Sequence, residues 1–130
     1  MSGLYALLVR SEDRHAEVVR AFRELLDGGR DLWSTSYVIV ETVALLQHRI
    51  GMPPVRGFVE HVVPILSVGW VSDVLHQRGV DTLLREERRR LSLVDCVSFE
   101  FMRVRGPRDV LTLDDQFREA GFRMLPAIRR

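Results

Sequence analysis

At 130 residues the chain is long enough for one domain with a sizeable core, and short for two. A hydrophobic content of 46%, a charged content of 28% and a net charge of +1 exclude a disordered tail and any whole-chain attraction to nucleic acid. The single cysteine, Cys96, excludes an internal disulfide and a multi-cysteine metal centre, and no apolar run is long enough for a membrane helix. All 19 basic residues are arginine, for which codon usage in a GC-rich genome is the simplest cause; guanidinium forks nonetheless suit phosphate oxygens where they cluster. With no signal peptide in the sequence, a cytoplasmic protein is expected.

Gly3 to Val9 is an apolar segment, followed by a charged connection from Arg10 to Arg14. His15 to Leu26 reads as an amphipathic helix, with Val18, Val19, Phe22, Leu25 and Leu26 at helical spacing and Gly28-Gly29 as its stop. Leu32 to Thr35 is a short strand, after which Thr35 or Ser36 can cap a helix from Tyr37 to about Arg49. From Tyr37 to Leu46 that helix carries one charge, Glu41. Its apolar neighbours cannot all face water, so Glu41 is expected at a buried boundary, where an ionised carboxylate needs a partner or a metal. Gly51 to Pro54 should break the chain, Val55 to Val63 form a short helix ended by Pro64, and Ile65 to Val71 form the next strand. Trp70 in that strand is expected in the core or an interface rather than as a base-stacking platform. Ser72 caps a further helix, with Val74, Leu75, Val80, Leu83 and Leu84 expected on one side. It runs into the charged stretch Arg85 to Arg90, most simply a solvated face. Arg88, Arg89 and Arg90 could also hold an anionic strand.

The stretch from Leu91 to Pro126 organises the rest. Ser92 followed three residues later by Asp95 is the signature of a capped helix start, here running to Arg103. Asp95 then lies in the first turn, where its charge meets the positive end of the helix dipole. After Gly106-Pro107, Val110 to Leu113 is a short buried-strand pattern with Asp114 at its carboxyl end. A short helix through Ala120, a stop at Gly121 and an edge strand over 122–125 complete the reading. Open α/β sheets bind ligands outside the carboxyl ends of their strands, so acids aimed there suggest a site for a hard cation.

Strands alternating with helices argue for a parallel sheet with helices on both faces. The ordered segments also resemble the PIN-domain family, and within it the VapC-type ribonuclease toxins. The resemblance is carried by the opening Gly3-Leu4-Tyr5-Ala6-Leu7-Leu8, by Ser34 to Leu46 with Glu41, by Leu91 to Cys96 with Asp95, and by Leu111-Thr112-Leu113-Asp114 leading to Ala120-Gly121-Phe122. It runs from Met1 to Pro126 and implies a three-layer α/β/α sandwich with a central parallel sheet, as one domain over 1–130. The implied activity is a Mg²⁺- or Mn²⁺-dependent endoribonuclease, usually dimeric and neutralised by a small antitoxin. By this resemblance Asp95 and Asp114 line the metal site and Glu41 completes it or orients water. Ser2 matches a supporting hydroxyl, and Asp115 is a spare acid. The family's first acid, an aspartate ending its first strand, has no counterpart here. A natural reading frame extending upstream of Met1 through that strand is therefore expected. The alternative is a PIN-fold binding or regulatory module without catalysis; a response-regulator-like domain is weaker, because no acidic pair follows an early strand.

Overall fold

Among the described residues, the sequence patterns with helical period become six α-helices joined by short parallel strands. The computed structural model describes residues 2–11, 13–29, 31–106, 109–111, 119–120 and 123–125. The helices are α1 (Ser2–Leu8), α2 (His15–Asp27), α3 (Ser36–Arg49), α4 (Met52–Gly57), α5 (Asp73–Glu86) and α6 (Leu93–Arg105). The strands are β1 (Trp33–Thr35), β2 (Ser67–Gly69), β3 (Asp109–Leu111) and β4 (Arg123–Leu125). The result is the helix-rich α/β architecture with parallel strands that the alternation implied.

Each strand is three residues long. β1 pairs in parallel with β2, Trp33 opposite Ser67 and Thr35 opposite Gly69. β3 pairs in parallel with β4, Asp109 opposite Arg123 and Leu111 opposite Leu125. Among the described residues these are two separate two-stranded ladders rather than one continuous sheet. Parallel pairing requires a crossover, and α3 with α4 supplies it between β1 and β2.

One core gathers Leu4 of α1, Phe22 of α2, Val38 and Leu46 of α3, and Phe58 beyond α4. The helical stripe of α3 explains its share. Val38, Thr42 and Leu46 recur every four residues and are all buried, and Thr42 Oγ1 donates to the Val38 carbonyl at 2.7 Å instead of meeting water. A second core forms under α6 from Leu91, Cys96, Phe99 and Met102. Cys96 is fully buried, as a small apolar residue would be.

Three local readings change. The break expected over Gly51–Pro54 is confined to Gly51, whose φ of 129° separates α3 from α4, because α4 already begins at Met52. Pro53 and Pro54 occupy its first turn, where a helix has no intrahelical use for their missing N–H groups. Pro64 does not end the following helix outright: after a π-helical stretch, Phe58–Val62, a 3₁₀ turn carries it over Val63–Ile65. On α5 the expected one-sided apolar face also fails, since Val74 and Leu84 stand in solvent. The face turned inward is Leu75, Gly79, Thr82 and Leu83, at spacings of four, seven and eight, and its buried members Gly79 and Thr82 are small. Small residues let α6 approach closely, and α5 with α6 is the most extensive helix pairing described. Thr82 Oγ1 donates to Glu100 Oε1 at 3.1 Å across that contact, and Arg103 donates to the same oxygen at 2.8 Å.

Candidate active site

α3 begins where β1 ends, and the junction is fixed by side chains. Thr35, in extended conformation, accepts the Val38 N–H on Oγ1 at 3.2 Å, which caps the helix. Ser36 Oγ accepts the N–H of Val71 at 3.0 Å, tying the segment after β2 to the first turn of α3. One turn further on stands Glu41, half-buried, adjacent in sequence to the fully buried Thr42. It therefore lies at the edge of the buried stripe, as expected.

α6 presents Asp95 in its first turn through a complete capping box. Ser92 Oγ accepts the Asp95 N–H at 3.1 Å, and Asp95 Oδ2 accepts the Ser92 N–H at 3.2 Å. The cap holds the carboxylate in one rotamer at the positive end of the helix dipole. Replacing Ser92 by Ala should therefore lower stability by about 1 kcal/mol. The check is the urea midpoint, which should fall at constant m-value.

The two carboxylates interact. Burial raises the pKa of Glu41 above its ordinary value; the positive charge of the N-terminus opposes the rise, and the Asp95 charge adds a smaller push upward. Burial foremost, with Asp95 adding, also raises the Cys96 thiol, so this cysteine is not an activated nucleophile. Asp114 and Asp115 lie outside the described residues, as does the side chain of Ser2, whose backbone opens α1. Among the described residues no group of three or more His, Cys, Asp or Glu is placed to hold a metal ion. Of the candidate acids, Glu41 and Asp95 are described, on the packed helices α3 and α6.

The arginine run is exposed in the turn between α5 and α6. Arg88 is engaged there by Glu119 at 3.2 Å and Glu86 at 4.0 Å. Trp70 was expected in the core or an interface; at 80% exposed it is not in the core of the chain. β2 stops at Gly69, whose own position explains the shift: a Cβ there would strike the Phe101 ring, so the buried role at the strand end falls to a glycine and Trp70 turns outward. The sequence reading also passed over a polar pair. Tyr37 Oη and His76 Nδ1 are hydrogen-bonded between α3 and α5. Tyr37 precedes Glu41 by four residues and so shares its helix face, which was the available signal.

No family model matches the chain. The 23S rRNA-specific endonuclease VapC20 of Mycobacterium tuberculosis, in strains CDC 1551/Oshkosh and ATCC 25618/H37Rv alike, is 30% identical over 90 residues, 68% of this chain and 69% of the relative. The crystal structure of Mycobacterium tuberculosis VapC20, described as a sarcin-ricin loop cleaving toxin, matches with a TM-score of 0.80. It is 27% identical, and the match covers 93% of this chain and 92% of that one. The fold and the relatives together define an endoribonuclease toxin, and a module without catalysis is not favoured. This chain belongs to the VapC-type family of PIN-domain ribonuclease toxins.

Proposed function

We propose that the chain is a Mg²⁺- or Mn²⁺-dependent endoribonuclease that hydrolyses phosphodiester bonds of RNA. It acts in the cytoplasm as a homodimer and is neutralised by a small antitoxin. One observation supports the metal dependence: two half-buried carboxylates stand on the packed helices α3 and α6, near enough for the Asp95 charge to add to the burial that raises Glu41. Two such charges oppose one another, and a divalent cation held by these residues would relieve both. Oxygen donors of this kind suit a hard ion such as Mg²⁺ or Mn²⁺. Such an ion would supply a more acidic water and charge relief at the phosphoryl group.

Glu41 and Asp95 would hold the ion with Asp114, and Ser2 and Asp115 would support them. Within the pair, Asp95 is the oriented acid, its Oδ2 fixed by the Ser92 N–H. Glu41, at the edge of the buried stripe of α3, would complete the metal site or orient the attacking water. Arg88, Arg89 and Arg90 are candidate phosphate contacts, Arg88 less so because Glu119 and Glu86 compete for it. By likeness to the Mycobacterium relative, ribosomal RNA is the first substrate to try.

The test is cleavage of ribosomal and single-stranded RNA by the purified chain. Cleavage is expected with Mn²⁺ or Mg²⁺, none with excess EDTA, and recovery when Mn²⁺ is restored. Cleavage indifferent to chelator would reject the metal. With no RNA cut under any metal condition, the enzyme reading itself would fall.

A further inference from the structure

We propose that Trp70, just past the carboxyl end of β2, is a stacking platform for an unpaired base of the RNA substrate. The proposal rests on the ribonuclease reading above and adds to it a residue that binds substrate.

An exposed tryptophan is an unfavourable surface residue unless something covers it, and Trp70 is the most exposed large hydrophobic side chain described. Its place is set by the fold. The next residue, Val71, donates its N–H to Ser36 Oγ, so the Trp70 segment is fastened to the first turn of α3. Glu41 lies on the same helix, five residues on. A second fastening comes from the far side of the segment, where His76 of α5 is bonded to Tyr37. Trp70 is thus held between two anchors to the helix that carries an acid of the site.

The place of Trp70 suits a base. Val74, four residues on at the start of α5, is exposed as well. A nucleobase face is neutral and stacks on aromatic rings irrespective of sequence. A nuclease that holds one phosphate at Glu41 and Asp95 must also place the flanking nucleotides, whose bases are readable once unstacked. Trp70 supplies the flat face for such a base.

The chain has two tryptophans, so Trp33→Phe leaves Trp70 as its sole indole. In a Trp33→Phe, Glu41→Gln protein, titration with single-stranded RNA oligonucleotides should quench Trp70 fluorescence saturably. In the otherwise native chain, Trp70→Ala should raise KM for RNA about ten-fold or more with kcat little changed, and Trp70→Phe should recover most of the loss. The melting temperature of Trp70→Ala should stay near that of the native chain, because the side chain packs little. Absence of quenching, or an unchanged KM in Trp70→Ala, overturns the proposal. So does a Trp70→Ala chain that changes its oligomeric state by sedimentation while binding RNA as before, which assigns the residue to a protein contact. Should the native chain cleave no RNA, the ribonuclease reading fails separately, since the quenching titration needs no turnover.

Discussion

Asp95→Asn and Glu41→Gln are each expected to lower kcat/KM for RNA cleavage by about 100-fold or more. Both substitutions keep shape and remove charge, so a metal site or a proton acceptor is lost while the helices remain. Asparagine at position 95 still offers an oxygen to the Ser92 N–H, so the cap survives in the first variant. Glu41→Gln carries a second signature in stability. The pKa of Glu41 is raised from an ordinary 4.5, so the folded chain binds that proton more tightly than the unfolded chain does. Below 4.5 the carboxyl is neutral in both states and the burial of charge costs nothing. As pH rises through the folded pKa, ionisation costs stability, and the cost is complete above it. Glu41→Gln should therefore melt above the native chain at neutral pH, with the gap closing in acid. Melting curves at pH 4 and pH 7 beside the cleavage rates decide the matter. A variant within ten-fold of native activity removes its residue from the site, and a Glu41→Gln chain that melts lower at neutral pH refutes the crowded, half-buried carboxylate.

The two acids differ in how openly the sequence displayed them. Asp95 was legible because its surroundings are local: Ser92 and Asp95 cap one helix at a spacing of three, and the structure contains that capping box. Glu41 was legible for a different reason, a lone charge in a helix with too many apolar residues to face water, and it sits at the edge of the buried stripe. The core alternative for Trp70 failed because exposure at a strand end depends on what lies across it. Gly69 must be small to admit Phe101 of α6, a contact between residues more than thirty positions apart that no local pattern announces. The same limit applies to Tyr37 and His76, whose bond joins two helices. On α5, hydrophobic identity alone suggested Val74 and Leu84 as core, yet the buried face is chosen by the close approach of α6 and is filled by Gly79 and Thr82.

That close approach yields the largest expected effect on stability. Gly79→Ala would normally stabilise a helix by roughly 1 kcal/mol. Here the added Cβ would overlap Val97 Cγ2 and lie 3.2 Å from the Val97 backbone nitrogen and 3.3 Å from its Cα. Val97 is fully buried, so it has nowhere to retreat. Overpacking of this kind costs about 1–3 kcal/mol, enough to reverse the propensity gain. Val97→Ala removes the struck methyl but leaves the backbone contacts, so it should relieve part of the loss in the double variant. Each single change lowers the urea midpoint, and the pair should be less harmful than the sum of the two. Activity should follow stability only in part, because Val97 is two residues beyond Asp95. Pushing α6 away from α5 moves the carboxylate with it, so Gly79→Ala should also lose cleavage under conditions where the chain is fully folded. Additive stability losses, or native cleavage rates in the folded Gly79→Ala chain, would mean that the α5–α6 contact does not set the position of Asp95.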